Sequence, residues 1–142
     1  MFRKILVAID GSEPANRALE AAIEEASVWN AKVHVVYVVE SGLFSSLPMD
    51  NTLEVIYSVL QKEGEEILES ARKKADAAGI SLTTHLRQGH AGSQIVSLAE
   101  ELGIDLIVLG SYGKSGVDRL LLGSVTDYVV QNSPITTTVV RT

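Results

Sequence analysis

The sequence predicts an α/β fold in three layers, with helices on both faces of a five-stranded, mostly parallel sheet. Short apolar runs dense in Val and Ile, typical of strands buried on both faces, alternate with longer segments of helical periodicity. The 142 residues suit one domain, residues 1–142, with a single core and no need of disulfides. Right-handed crossovers give a Rossmann-like arrangement, whose ligand site lies beyond the carboxyl ends of the strands.

The predicted strands share β-branched residues and short length. They lie near Ile5–Ile9, Lys32–Val39, Ser81–Leu86, Leu106–Leu109 and Ile135–Val140. Asp10 and Gly110 each follow such a run, so both are expected at the ligand-binding edge of the sheet.

Four helices are predicted between the strands. Ser12 is a suitable N-cap for the first, with Pro14 in its first turn. Gly79 is expected to end the second. The third should run from about Gly92 to Glu101, and the fourth from Ser124 to about Gln131.

The segment Ser41–Thr52 breaks the helical periodicity and contains Gly, Ser and Pro, so it is predicted to be a long loop. Two interpretations stay open. It is either a lid over the site or a connection without fixed structure.

Composition disfavours several classes of partner. The net charge is −6, and no basic cluster exceeds Arg72-Lys73-Lys74, so neither nucleic acid nor an anionic membrane is expected to bind. With no cysteine, neither disulfides nor a thiolate metal site can form. The apolar run Ile5–Ile9 is too short for a signal-peptide core or a membrane span, which favours a cytoplasmic protein.

A glycine-rich segment follows the fourth strand directly and has the form G-x2-G-x9-G-S. Although Gly113-Lys114-Ser115 suggests a P-loop, the position five residues before Gly113 is Val108 rather than glycine, so the spacing fails. Glycines allow backbone N–H groups to approach an anion, and a helix start adds unpaired amides. The segment therefore predicts a phosphate cradle; its residues are Gly110, Gly113, Ser115, Gly116, Gly123, Ser124, Val125 and Thr126, with Lys114 as a compensating charge.

This pattern, with the run Leu120–Ser124 before the last helix, resembles the ATP-binding branch of the universal stress protein family. The stretches Ile5–Pro14 and Asp105–Ser111 resemble the family's first and fourth strands. Tyr112 departs from the family pattern, which often has histidine there, and Ala8 stands where proline is frequent. The resemblance implies ATP or AMP as ligand, with Mg²⁺ on the phosphates.

The resemblance also assigns residues around the nucleoside. It implies that Asp10 contacts the nucleoside, and that Ala8 and Val38 offer backbone contacts to the adenine. Leu109 approaches the ribose or base by position. From the residues alone, Asp10 could equally be a turn aspartate that caps the first helix.

The histidines are weaker signals for chemistry. His34 and His85 lie within strand patterns, where a hydrogen-bonded structural role is favoured over metal ligation. His90 lies in a glycine-flanked loop and could reach the cleft. The sequence contains no G-x-S-x-G nucleophile elbow, and we assign no catalytic residue and no metal site in the protein.

Together with the family resemblance, which implies the stress-response role, these patterns favour an ATP-binding stress-response or regulatory protein. It would act by nucleotide-dependent association with a protein client that the sequence does not name. One alternative is a slow ATP-consuming hydrolase or transferase in which His90 or Asp10 orients a nucleophile. Another is a dimerisation module with a vestigial nucleotide pocket. The family resemblance implies a homodimer through the C-terminal strand Ile135–Val140, although Thr136, Thr137 and Thr138 make that strand more polar than is usual.

Overall fold

Strands and helices alternate along the chain. The computed structural model describes residues 1–41, 51–112 and 122–141. Its elements are β1 (Lys4–Ala8), α1 (Glu13–Trp29), β2 (Lys32–Glu40), α2 (Asn51–Ala77), β3 (Leu82–Gly89), α3 (Ala91–Leu102), β4 (Leu106–Gly110), α4 (Ser124–Asn132) and β5 (Thr136–Val140). The predicted element order is confirmed. Gly113, Lys114, Ser115 and Gly116, and most of the predicted long loop (42–50), lie outside the described residues. Asn51 and Thr52, which were expected in that loop, instead begin α2.

The sheet has the strand order β3-β2-β1-β4-β5, and every neighbouring pair is parallel. The predicted three-layer α/β fold is therefore confirmed. From β1 the chain crosses to β2 on one side, while β4 pairs with β1 on the other side. The strand order thus reverses between β1 and β4, and such a switch point leaves a crevice at the carboxyl edge of the sheet.

The central strands are buried on both faces, which explains their unbroken apolar runs. In β1, Ile5 and Val7 pack with α1 and α2, whereas Leu6 packs on the opposite side with α3 and α4. All three are fully buried. Because successive residues of a strand point to opposite faces, a run without polar residues is what two covering layers require.

Local signals fix the helix ends. The Ser12 side chain accepts a hydrogen bond from Ala15 N–H at 3.3 Å, so it caps α1 as predicted. Gly79 has a φ of +74° just after α2, a conformation that favours glycine, and it ends that helix as predicted. Among the helices within the described ranges, none combines the length and hydrophobicity that crossing a bilayer demands.

Candidate functional site

A cleft of about 440 Å³ opens at the switch point of the sheet. The ends of β1, β2 and β4 form its floor, and the first turn of α4 closes one side. Its walls are mainly apolar, with the carboxylates of Asp10 and Glu40 among the lining groups. The volume falls within the range of about 300–1,000 Å³ that is typical of small-molecule sites.

The structure brings together at this cleft the predicted binding residues that fall within its described ranges. They come from three strand ends and one helix start: Ala8, Asp10, Val38, Leu109, Gly110, Gly123, Ser124, Val125 and Thr126. The fold thus brings residues more than a hundred positions apart in the chain to one crevice. Their roles toward a ligand stay predictions.

The start of α4 at Ser124 is the predicted one. The N-cap is Gly123, and Ser124 is the first helical residue, with an exposed side chain. Gly123 has extended backbone and donates its N–H to Ser111 C=O at 2.7 Å. That tertiary hydrogen bond fixes the residue from which the helix begins.

The first turn of α4 presents backbone amides at the cleft. The first hydrogen bond within the helix runs from Asp127 N–H to Gly123 C=O at 2.9 Å. The amides of Ser124, Val125 and Thr126 precede it, and such amides have no acceptor inside their own helix. They lie at the positive end of the helix dipole, which favours an anion.

One hydrogen bond holds α4 against the end of β4, and another continues the pairing of β4 with β5. The buried Thr126 hydroxyl donates to Gly110 C=O at 2.7 Å, and Ser111 N–H donates to Val140 C=O at 3.0 Å. The Thr126 hydroxyl is thus used by the protein itself. Any contact of Thr126 with a ligand anion falls to its backbone amide.

Gly110 is required by packing as well as by the predicted cradle. A Cβ at this position would lie 2.8 Å from the carbonyl carbon of Pro14, closer than real Cβ atoms approach other atoms. The end of β4 therefore touches the first turn of α1 backbone to backbone. The glycine allows this contact, which brings the start of α1 to the edge of the cleft.

Asp10 shapes the turn before α1 and lines the cleft, and its contact with a nucleoside stays a prediction. Its Oδ1 accepts a hydrogen bond from Ser12 N–H at 2.9 Å, so the carboxylate shapes the turn that leads into α1. Ser12, and not Asp10, caps the helix. Asp10 also lines the cleft.

Sequence reasoning missed part of the lining, most importantly Glu40. Its Oε2 accepts a hydrogen bond from Ala91 N–H at 2.9 Å, which fixes the carboxylate at the start of α3. Glu40 ends β2 as an acid after an apolar run, the same signal that selected Asp10 at the end of β1. Val36, Val38 and Glu40 share one sheet face, and all three line the cleft.

His90 has a structural role at the start of α3. It is the N-cap of that helix, and its Nδ1 accepts a hydrogen bond from Ser93 N–H at 3.3 Å. Its ring packs edge-on against Tyr128, with 5.2 Å between ring centroids. These contacts give the His90 ring a structural role, and His90 is not among the residues that line the cleft.

His34 and His85, for which a hydrogen-bonded structural role was favoured, form a hydrogen-bonded pair with each other on neighbouring strands. The distance from His34 Nδ1 to His85 Nε2 is 3.0 Å. Burial lowers the pKa of both imidazoles; the neighbouring His85, Lys4 and Lys32 lower that of His34 further, and Arg87 that of His85. Across the part of the chain that the structure describes, no three His, Asp or Glu side chains are grouped to hold a metal ion.

The fold and cleft define a small α/β domain with a binding crevice at the switch point of a parallel sheet. The sequence model of the universal stress protein family matches residues 1–141, and the chain belongs to that family.

Individual relatives agree with this membership. Universal stress protein MJ0531 of Methanocaldococcus jannaschii is 36% identical over 141 residues, which cover 99% of this chain and 83% of the relative. The solved structure of hypothetical protein MJ0577 has a TM-score of 0.90 and 28% identity, covering 100% of this chain and 97% of the other. A universal stress protein solved in complex with cAMP has a TM-score of 0.76 and 28% identity, covering 99% and 98%.

Proposed function

We propose that this protein binds an adenine nucleotide, ATP in the first place, in the cleft at the switch point. The observation that carries the proposal is the pairing, in one cleft, of an apolar crevice at the ends of β1, β2 and β4 with the first-turn amides of α4. An apolar crevice suits a base, and helix amides suit phosphates. The cAMP bound to a structurally similar family member supports an adenine nucleotide.

The end of β2 offers a backbone edge to the base. The register of β1 on β2 ends with Ala8 opposite Val36, where Ile9 N–H donates to Val36 C=O, yet β2 continues to Glu40. Because backbone groups alternate sides along a strand, the N–H and C=O of Val38 point the same way as those of Val36, past the end of β1. A donor and an acceptor on one backbone edge match the edge of an adenine ring.

The phosphates then extend toward α4. The amides of Ser124, Val125 and Thr126 and the Ser124 hydroxyl supply hydrogen-bond donors at the positive end of the helix. Gly113, Lys114, Ser115 and Gly116 complete the proposed cradle. Mg²⁺ enters with the nucleotide and is held mainly by its phosphates, as is usual for an ion that keeps several waters.

The protein acts through what the bound nucleotide changes in its associations, and not through fast catalysis. Within the described residues, His90, one of the two groups that the enzyme alternative would need, accepts from Ser93 N–H and is not among the residues that line the cleft. Asp10, the other group, lines the cleft and is assigned here to the nucleoside rather than to the phosphates. Phosphoryl transfer requires a group that orients the nucleophile. Turnover far below the roughly 1–100 s⁻¹ of kinases is therefore expected.

A second copy of this chain is the proposed first partner. β5 lies at the edge of the sheet and pairs with β4 on one side. An edge strand can extend its sheet across a two-fold axis into a homodimer. The protein client stays a separate and unnamed partner.

The proposal is tested by the small molecule that the protein carries. Freshly purified protein is denatured, and the released compound is identified by chromatography and mass spectrometry, with calorimetric titration of ATP, AMP and cAMP into the emptied protein. Adenine nucleotide in the extract and saturable ATP binding support the proposal. Protein that releases no nucleotide and binds none in the titration contradicts it and favours the vestigial-pocket alternative.

A further inference from the structure

The carboxylate of Glu40 occupies a defined place in the cleft. It ends β2 two residues beyond Val38 on the same sheet face, so the two side chains are about 7 Å apart along the strand. The hydrogen bond from Ala91 N–H to Oε2, at 2.9 Å, holds the carboxylate in the cleft wall. A carboxylate has about four lone-pair positions, so after one hydrogen bond with an amide the Glu40 side chain can still accept from a ligand.

From this placement we infer that Glu40 reads the base: its carboxylate accepts a hydrogen bond from the exocyclic amine of a 6-aminopurine and disfavours a 6-oxopurine. The inference rests on the proposed function, which puts the base beside the Val38 backbone. A base at Val38 that extends along β2 meets Glu40 next. Of the atoms on a purine edge, an amino group is attracted to a carboxylate, whereas a carbonyl oxygen is repelled.

The N-termini of α3 and α4 at the cleft differ in their electrostatics, and this difference orients the nucleotide in the cleft. At α3, the Glu40 carboxylate already accepts from Ala91 N–H, and the His90 side chain accepts from Ser93 N–H. At α4, the N-cap is Gly123, which has no side chain to bond the amides that follow. A phosphate is therefore repelled by the acid at α3 and attracted to α4, and the base takes the Glu40 end.

A carboxylate suits this task because rejection needs an acceptor that cannot become a donor. An amide in its place could rotate and donate to a 6-oxo group, so Glu40→Gln would accept both kinds of purine. The substitution also keeps a carbonyl acceptor for Ala91 N–H. It therefore changes base recognition while leaving the start of α3 supported.

The test compares three nucleotides on two proteins by calorimetry. ATP carries the 6-amine, ITP carries a 6-oxo group, and purine riboside triphosphate carries only hydrogen there. The wild type should bind ATP best, the purine analogue less well and ITP least, with ATP over ITP by about tenfold or more. Glu40→Gln should lower the ATP to ITP ratio at least about threefold, while the Val38 backbone keeps some preference for the 6-amine.

The matched control is Glu101→Gln, an exposed acid on α3 whose carboxylate pairs with Arg87 and not with the cleft. It should keep the wild-type order of the three nucleotides. Three results would overturn the inference: equal wild-type binding of ATP and ITP, an unchanged ratio in Glu40→Gln, or equal weakening of all three nucleotides, which would indicate contact with a shared group such as the ribose. Wild-type protein that binds none of the three overturns the proposed function itself, and the inference with it.

Discussion

Thr126 and Gly110, on α4 and at the end of β4, are joined by a hydrogen bond of 2.7 Å from the threonine hydroxyl to the glycine carbonyl. Thr126→Val keeps the shape of the side chain but leaves that carbonyl without its donor. We expect a loss of about 1–3 kcal/mol in the free energy of unfolding, measured by urea denaturation, because a partly buried acceptor is left unpaired. Thr126→Ser keeps the hydroxyl and should lose less; a Thr126→Val variant as stable as the wild type would show that the bond does not contribute to folding.

Ser124→Ala separates ligand binding from folding. Since Gly123 is the N-cap and Ser124 is exposed, the melting temperature should not change. The loss of one phosphate hydrogen bond, about 1 kcal/mol, should weaken ATP binding about fivefold. Ser58→Ala, an exposed serine on α2, is the matched control and should leave both quantities unchanged. ATP affinity that stays at the wild-type value would remove Ser124 from the proposed site.

The pair His34 and His85 should make stability depend on pH. Both pKa values are lowered in the folded protein from the ordinary 6.5, chiefly by burial, so the unfolded chain takes up protons first as the pH falls. The free energy of unfolding should therefore be highest above pH 6.5 and decline as the pH falls below 6.5 toward the lowered values. Nearby Lys4, Lys32 and Arg87 act in the same direction, and Glu101 opposes it.

Denaturant unfolding at several pH values between about 5 and 8 measures this decline. The double substitution of His34 and His85 by Gln removes both titrating groups and should flatten the curve in that range, while carboxylates continue to act at lower pH. A double variant with the wild-type slope would mean that the pair does not couple to folding.

Val139→Pro tests the homodimer without disturbing the β4–β5 ladder. Val140 C=O accepts from Ser111 N–H, so even-numbered residues of β5 turn their backbone groups toward β4, and Val139 N–H points outward. Proline there removes only an outward donor. Light scattering at tens of micromolar should show a wild-type dimer and a folded monomeric variant.

Thr138→Pro is the control, because the N–H of Thr138 faces β4 rather than the outer edge of the sheet. Its loss should lower the melting temperature. A wild-type monomer at that concentration, or a Val139→Pro variant that remains a dimer, would contradict pairing through β5.

The sequence was sufficient for the fold and for much of the cleft, since period-2 and helical patterns and the residues after strand ends are local signals. Asp10 and Gly110 were found in that way. The start of α4 at Ser124 was also predicted, but the bond that fixes its N-cap, from Gly123 N–H to Ser111 C=O, is a tertiary contact that no local propensity encodes. Glu40 carries the same local signal as Asp10 and was overlooked; its bond to Ala91 N–H could not be predicted, because only the fold brings the end of β2 to the start of α3.

The hydrogen bond from Gly123 N–H to Ser111 C=O has a consequence for how this protein can vary. It joins the chain on either side of residues 112–122. The fold therefore offsets the entropy lost in bringing those two ends together, whatever sequence lies between them. Doubling the length of a closed loop adds only about 0.6 kcal/mol. The sequence between these two anchors can therefore change in length and composition while the sheet and its core stay the same.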